Sequence, residues 1–187
     1  MGKIDHFKFL APYYDSIFGA ELDHDRLCYF DLQPGFRLLD AGGGTGRISA
    51  KLECQDCDFI ILDESINMLQ QAAGKKSLRP VKSVIENLPF PDCSFDRVVM
   101  VDVLHHVMNQ QRCAGEMWRI IKPGGKIIIE EPNIQLFPVK LLALAEKALL
   151  MRSHFLPDIA IQKLFPDTTC AIHVYKRNGN IWVIIQK

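Results

Sequence analysis

A short apolar run that ends in four glycines constrains the fold of this chain more than any other feature. Leu38, Leu39 and Asp40 close the run, and glycines occupy positions 42, 43, 44 and 46 before Arg47. Glycines let backbone N–H groups approach a ligand, and the N-terminus of a following helix favours negative charge. The segment therefore predicts a strand over 36–39, a ligand-binding turn and a helix over 47–52.

The rest of the chain repeats this alternation of apolar strands and amphipathic helices. Ser65 precedes one helix at a capping position, and Pro89 and Pro91 indicate a loop before the fourth strand. Such an alternation predicts a parallel sheet with right-handed crossovers. The further predicted strands are 59–62, 81–85, 97–101 and 126–129. The predicted helices are 4–18, which Pro12 divides in two, 23–32, 66–73 and 110–121.

The last third of the chain predicts two helices and a hairpin. Leu141, Leu144 and Leu149 share one helical face, and a short helix is expected after Pro157. The apolar side chains of this region suit a cover over a hydrophobic acceptor, an oligomer interface or, as the favoured role, packing on the sheet; they are Leu136, Phe137, Leu141, Leu142, Phe155 and Leu156. Strands over 169–177 and 181–186 flank Asn178-Gly179, a strong signal for a tight hairpin turn. The last strand is apolar on both faces, which predicts an interior strand beside a more polar edge strand.

Composition limits the classes of function. The 187 residues include 22 basic and 22 acidic side chains, so no net field favours nucleic acid or an anionic membrane. Six cysteines without a secretory signal favour reduced thiols in a cytoplasmic protein, and Cys54 and Cys57 are expected to be incidental loop thiols. No metal site and no membrane-spanning segment is expected.

Two common phosphate-binding motifs fit the glycine turn poorly. A P-loop needs a lysine after its last glycine, and the chain has Arg47 there. A dinucleotide fingerprint needs a third small residue at that same position, so Arg47 also disfavours NAD binding and a dehydrogenase.

The spacing Asp40-x-Gly42-x-Gly44-x-Gly46 resembles motif I of the class I S-adenosylmethionine-dependent methyltransferases. Three other stretches extend the resemblance along nearly the whole chain. Residues 63–69 look like the family's Asp-x-Ser-x-x-Met-Leu segment, and residues 119–126 resemble its Arg-x-Leu-Lys-Pro-Gly-Gly turn. Residues 86–96 are similar to a stretch of the small-molecule branch related to quinone-biosynthesis methyltransferases.

This resemblance implies an α/β, doubly wound, Rossmann-like fold. The sheet would have seven strands in the order 3-2-1-4-5-7-6, with strand 7 antiparallel and helices on both faces. A single methyltransferase domain would span 1–187, with an N-terminal helical lid over 1–35, a cofactor-binding half over 36–132, and substrate-side helices with the C-terminal hairpin over 133–187.

The resemblance also implies S-adenosyl-L-methionine as the cofactor. The glycine turn would hold the methionine part, and Asp63 would accept hydrogen bonds from both ribose hydroxyls, as a carboxylate can. Val84-Ile85 stands where the family usually has Asp-Ala, so the side-chain contact to the adenine amine is missing, although the Ile85 backbone could still serve. The implied cofactor-binding residues are Tyr14, Asp40, Gly42, Gly44, Gly46, Asp63, Glu64, Met68, Ile85, Glu86 and Val101.

The implied reaction is an in-line displacement of the sulfonium methyl by a small, apolar acceptor, for which no acid, base or metal is obligatory. His105, His106 and Tyr14 are the catalytic candidates, and Tyr13 and Glu131 could also accept a proton. A protein that binds S-adenosylmethionine without turnover is the alternative. The acceptor atom and the oligomeric state stay open.

Overall fold

The fold is a seven-stranded sheet with helices on both faces, seen in a computed structural model that describes residues 24–75, 77–148, 153–165 and 170–187. The strands are β1 (Arg37–Ala41), β2 (Asp58–Asp63), β3 (Leu78–Lys82), β4 (Phe95–Val101), β5 (Ile121–Pro132), β6 (Ala171–Arg177) and β7 (Asn180–Gln186). The α-helices are α1 (His24–Phe30), α2 (Ile66–Ala73), α3 (Gln110–Ile120), α4 (Phe137–Ala148) and α5 (Asp158–Gln162).

The strand order β3-β2-β1-β4-β5-β7-β6 confirms the predicted fold class. β1 lies parallel between β2 and β4, with Leu39 opposite both Ile60 and Val98. All three side chains are buried, as expected for strands that are covered on both faces. The carboxyl ends of β1, β2, β4 and β5 therefore meet at one edge, where ligands bind in open α/β sheets.

The C-terminal hairpin forms as predicted. Asn178 and Gly179 both have positive φ, 50° and 83°, which is the conformation of a type I′ turn. β7 pairs antiparallel with β5 on one side and β6 on the other, and residues 181–185 are all buried. β6 is the edge strand, with alternating exposed and partly buried residues in its first half.

The two sheet faces carry separate apolar clusters. One cluster packs α3 and α5 against the sheet through Met117, Ile129 and Ile161. The other packs α1 and α2 through Phe30, Leu69 and related side chains. This two-layer cover is what a buried parallel core requires.

Three predicted elements differ from the structure. The helix over 47–52 is only a short 3-10 helix, Ser49–Lys51, because three glycines with positive φ hold the preceding backbone in the turn. β3 begins and ends three residues before the predicted 81–85, because its pairing with β2 places Pro80 opposite Ile61. Ser65 occupies the N-cap position of α2, but its side chain makes no capping hydrogen bond.

Two side-chain predictions are also corrected. Leu136, Phe137 and Leu141 are 42%, 71% and 52% exposed, so these side chains do not pack on the sheet as expected. Cys54 and Cys57 form a disulfide rather than two reduced thiols, because the loop between the 3-10 helix and β2 brings their Cα atoms to 5.5 Å.

Some predictions fall outside the described residues, including the N-terminal helix over 4–18 and the positions of Leu149 and Thr169. Within the described ranges, no helix has the length and apolar character to cross a bilayer.

A buried arginine ties α1 to the sheet at the edge opposite the glycine turn. Arg97 in β4 is 4% exposed and donates to the carbonyls of Phe30, Asp31 and Asp96. Its guanidinium also pairs with the Asp31 carboxylate at 3.0 Å, and Lys126 donates to the same carboxylate oxygen. The end of α1 is therefore fixed by one side chain with several acceptors.

Replacing Arg97 with methionine should lower the free energy of unfolding by about 3 kcal/mol, because several acceptors would lose their donor. Denaturant unfolding followed by circular dichroism measures the change. Arg79→Met is the matched control, since Arg79 is 67% exposed and, among the described residues, pairs with Asp58 alone. The control should stay within about 0.5 kcal/mol of wild type, and equal losses in both variants would contradict this role of Arg97.

Candidate functional site

The glycine turn is fastened to the end of β2 by its own backbone. The N–H groups of Gly42 and Gly43 both donate to the Leu62 carbonyl, at 2.7 and 3.1 Å. Gly42 has φ +76°, and a Cβ atom there would lie 2.5 Å from the Val103 side chain. At Gly46, with φ +69°, a Cβ atom would lie 2.5 Å from Leu78. A larger residue at either position would strain a backbone with positive φ and displace the Val103 or the Leu78 side chain.

Asp40 supports the turn from beneath. Its carboxylate is buried and accepts a hydrogen bond of 2.7 Å from the Ser49 hydroxyl. A Cβ atom on Gly43 would lie 2.5 Å from the Asp40 carboxylate carbon, so this side chain packs directly against the turn. Burial raises the pKa of Asp40 to about 6. Asp40 therefore shapes the turn through packing and through Ser49.

Asp63 stands at the end of β2 with its carboxylate held in place by two backbone donors. Gly44 N–H donates to Oδ2 at 3.0 Å, and Ser65 N–H donates to Oδ1 at 2.8 Å. A carboxylate oxygen can accept more than one hydrogen bond, so the Asp63 carboxylate can bind a diol while it keeps these two backbone donors. The Met68 side chain is buried and lies against Gly44. These contacts build a carboxylate and an apolar wall beside the glycine turn.

The loop after β3 forms a second wall and is anchored by α3. Ile85 is buried, whereas Val84 is 44% exposed. Leu88 N–H donates to Glu116 Oε2 at 2.8 Å, and Arg119 donates to the carbonyls of Leu88 and Phe90. Glu116 and Arg119 also pair with each other at 2.8 Å. Residues 85–90 therefore have a fixed position relative to α3.

The turn after β4, residues 102–106, closes the site on its third side. Asp102 has φ +57° and pairs with Arg47 at 3.0 Å, which joins this turn to the residue after the glycines. Val101, at the end of β4, is partly buried, and Val103 contacts the position that a Gly42 side chain would need. The 102–106 turn thus abuts the glycine turn directly.

Glu131, near the end of β5, binds this turn from the other side. Its Oε1 accepts hydrogen bonds from the N–H groups of Val103 and Leu104, at 3.0 and 2.7 Å. Its Oε2 lies 2.6 Å from His105 Nδ1. Burial raises the pKa of Glu131, and the hydrogen bond with His105 opposes that effect.

The two histidines of the turn pack under the segment that follows α4. The His105 ring stacks on Phe155 at 4.2 Å and tilts against His106 at 4.0 Å. His106 Nδ1 lies 3.3 Å from the Ser153 hydroxyl. Burial lowers the pKa of His106 to about 4, so its ring is neutral at physiological pH.

Most of the predicted site residues come together at one edge of the sheet. Gly42, Gly44 and Gly46 form the turn, and Asp63 and Met68 lie against it. Glu64 is exposed, and Glu86 accepts a long hydrogen bond of 3.4 Å from Asn109 N–H. Tyr14 and Tyr13 lie outside the described residues.

The contacts that hold the walls of the site in place are not among the predictions from the sequence. Arg47 disfavours two other ligand classes by its position in the motif, and in the structure it also pairs with Asp102. The pair Glu116–Arg119, which binds the loop after β3, was also not predicted, nor were the hydrogen bonds from the 102–106 turn to Glu131. The i,i+3 spacing of Glu116 and Arg119 indicates that these two side chains can pair. No local pattern indicates a contact between residues 28 positions apart, such as Leu88 and Glu116.

Comparison with known families agrees with this geometry. Residues 39–129 match the family model of the methyltransferase domain. This match covers just under half of the chain, and within it the chain is similar to a methyltransferase domain. It is 34% identical over 110 residues to the ubiquinone/menaquinone biosynthesis C-methyltransferase UbiE of Vibrio campbellii, which covers 53% of this chain and 42% of that relative. It is 36% identical over 101 residues to the demethylmenaquinone methyltransferase of Renibacterium salmoninarum, covering 52% of this chain and 42% of the relative. The match thus spans less than half the length of these relatives.

Solved structures share the fold along nearly the full length of the chain. An S-adenosylmethionine-dependent methyltransferase of Thermotoga maritima superposes with a TM-score of 0.76 at 20% identity, covering 97% of each chain. A chain from the Haloferax volcanii complex between the Trm112 methyltransferase activator and a methyltransferase superposes with a TM-score of 0.77 at 16% identity, covering 99% of each. At these identities the similarity shows the fold alone.

Family and fold imply S-adenosyl-L-methionine as the cofactor, and the residues present fit it. The close approach of Val103 and Leu78 to the turn leaves room only for glycines, whose bare backbone suits a bound methionine moiety. The Asp63 carboxylate, oriented by Gly44 and Ser65, suits a ribose diol. Among the described residues, no group of three or more His, Cys, Asp or Glu side chains could hold a metal ion.

Asp40 should make the stability of this chain depend on pH. Its pKa in the folded state is about 6, above the ordinary aspartate value of 3.8, so the folded state binds more protons than the unfolded state between these two pH values. Stability should therefore fall as pH rises from about 4 to about 6, by up to about 3 kcal/mol from this group.

Urea unfolding of wild type and Asp40→Asn at pH 4 and pH 7.5 measures this contribution. The variant should lose less stability than wild type as the pH rises, because its side chain does not ionise. Ser49→Ala is the control: it keeps the carboxylate and removes a hydrogen bond that lowers the pKa of Asp40, so its pH dependence should be retained or steeper. Parallel pH profiles for wild type and Asp40→Asn would refute the assignment.

Proposed function

We propose that this chain transfers a methyl group from S-adenosylmethionine to a small, apolar acceptor. The contact between Gly44 N–H and Asp63 Oδ2, at 3.0 Å, carries the proposal. It joins a carboxylate suited to a diol to a glycine turn suited to an amino-acid moiety, and S-adenosylmethionine contains both groups. The domain family and the enzymes similar to it support the same reaction.

The cofactor would be held by three walls. The turn at residues 42–46 would take the methionine moiety, and Asp63 would take the ribose hydroxyls. The adenine ring would lie between Met68 and Ile85, both of which are buried. Glu64, Glu86, Val101 and Tyr14 are proposed as further contacts.

When bound, S-adenosylmethionine supplies an electrophilic methyl group, and its sulfur takes the electron pair of the broken carbon–sulfur bond. The protein then contributes mainly alignment and exclusion of water. An acceptor with a hydroxyl nucleophile must also lose a proton. His105 and His106 are proposed as the groups that could accept that proton, since both lie in the turn after β4 beside the cofactor site.

The acceptor is proposed to bind between an N-terminal lid over 1–35 and the segment over 133–187. Leu136, Phe137 and Leu141 are exposed apolar side chains at the start of this segment, close to where β5 ends. Apolar surface of this kind suits an apolar ligand. The names of the relatives in quinone biosynthesis support a quinone-like ring as the acceptor.

A protein of this fold that binds the cofactor without turnover is the second candidate. Val84 favours it, because this exposed apolar residue belongs to the pair that replaces the family's usual Asp-Ala contact to adenine. Weak cofactor binding would follow from the loss of that contact.

Calorimetry with S-adenosylmethionine and S-adenosylhomocysteine tests the cofactor site. We expect saturable binding by wild type and about a hundredfold weaker binding by Asp63→Ala, because two charged hydrogen bonds to the ribose would be lost. Ser83→Ala is the control, since it removes a hydroxyl that donates to the Asn87 carbonyl within the same loop and keeps the backbone N–H that donates to the Asp63 carbonyl. Absence of binding to folded wild-type protein, or tighter protection by NAD, would overturn the proposal.

Transfer of radiolabelled methyl groups to a demethylmenaquinol with a short side chain separates the two candidates. Incorporation of label that requires Asp63 supports the enzyme. Tight binding of S-adenosylmethionine with no label in this acceptor or in a panel of phenols and amines supports the silent protein instead.

A further inference from the structure

Glu131 is a buried carboxylate with three polar partners and no role in the reaction proposed above. Its side chain is 3% exposed. It accepts hydrogen bonds from the N–H groups of Val103 and Leu104, and it lies within hydrogen-bond distance of His105 Nδ1. A carboxylate is purely an acceptor when ionised, and hydrogen bonds from several donors favour that form. When Glu131 is ionised, Nδ1 of His105 carries the proton that lies between the two side chains.

The turn that Glu131 holds touches the cofactor side of the site. Val103, whose N–H is bound by Glu131, packs so closely on the glycine turn that a side chain at Gly42 would collide with it. The neighbouring Asp102 pairs with Arg47, directly after the last glycine of the turn. A displacement of residues 102–104 would therefore displace the wall against which the turn rests.

The same turn touches the acceptor side of the site. The His154 N–H donates to the His105 carbonyl at 2.7 Å, and Phe155 stacks on the His105 ring. The Gln110 amide donates to the carbonyls of both Leu104 and His154, which fastens the two segments together. Glu131 thus lies beneath a turn that joins the glycine turn to residues 153–155.

We propose that Glu131 is a positioning residue that sets the 102–105 turn in the form that binds the cofactor. It does so by holding two consecutive backbone N–H groups and the orientation of the His105 ring. This inference rests on the proposed function, because the property at stake is the affinity for S-adenosylmethionine and its product. Glu131 acts through Val103 and His105, not as a proton acceptor for the acceptor molecule.

Glu130 offers a matched control one residue away. It is also buried, at 1% exposed, but an adjacent strand residue points to the opposite face of the sheet. Its Oε1 accepts a hydrogen bond from the Asn180 side chain, which a glutamine oxygen can also accept. Glu130→Gln therefore neutralises a buried carboxylate at the same strand end without releasing the 102–105 turn.

The test compares Glu131→Gln with Glu130→Gln by calorimetry with S-adenosylhomocysteine. A glutamine cannot accept all three hydrogen bonds, since one of its two terminal atoms is a donor. We expect the Kd of Glu131→Gln to rise about tenfold, the size of one lost charged hydrogen bond, and that of Glu130→Gln to stay within about twofold. Equal affinities for the two variants would overturn the inference, whereas no binding by wild type would overturn the proposed function.

A measurement on ligand-free protein keeps the inference testable should Glu131→Gln fold poorly. The ¹⁵N chemical shifts of the wild-type His105 ring report which nitrogen carries the proton. We expect a protonated Nδ1, together with slow hydrogen exchange at the amides of Val103 and Leu104. In Glu131→Gln these two amides should exchange faster while the central strand amides of β1 and β4 remain protected. A His105 ring protonated only at Nε2, or two fast-exchanging amides in wild type, would refute the assignment.

Discussion

The attachment of the glycine turn to the end of β2 is the constraint on which the rest of the site depends. Three consecutive backbone N–H groups, of residues 42, 43 and 44, are bound by the Leu62 carbonyl and the Asp63 carboxylate. These bonds fix two neighbouring strand ends relative to each other. Because Asp63 takes part in them, the group proposed to bind ribose is oriented by the turn proposed to bind methionine. The backbone of the turn therefore orients both groups that are proposed to bind the cofactor.

The walls around this turn are held by side chains of distant segments. Glu116 and Arg119 of α3 hold the loop after β3, Arg47 holds the turn after β4, and Glu131 of β5 holds that turn from behind. All these carboxylates have donors within hydrogen-bond distance, so the polar groups support the site without a buried charge left unpaired. A methyl transfer needs alignment more than acid–base chemistry, and such a frame supplies alignment.

The sequence predicted those parts of the fold that have a local signature. The glycine spacing predicted the turn, Asn178-Gly179 predicted the hairpin, and the apolar pattern of the last strand predicted its interior position. The prediction of an α-helix after the glycine turn was wrong, because positive φ angles extend through Gly46 and are followed only by the short 3-10 helix. The register of β3 and the exposure of Leu141 depend on tertiary pairing, which periodicity does not report. Contacts such as Glu131 with Leu104 join distant residues and leave no mark in a single sequence.

The insertion of β7 between β5 and β6 has a consequence for how the chain acquires its structure. β5 pairs with β4 on one side, but its other edge pairs only with β7, about fifty residues later in the chain. During synthesis that edge stays uncovered while α4, α5 and β6 emerge. An uncovered strand with Ile127, Ile128 and Ile129 at its centre is a template for pairing with another chain. Rapid closure of the Asn178-Gly179 hairpin, a local event, would deliver β6 and β7 together and shorten that exposure.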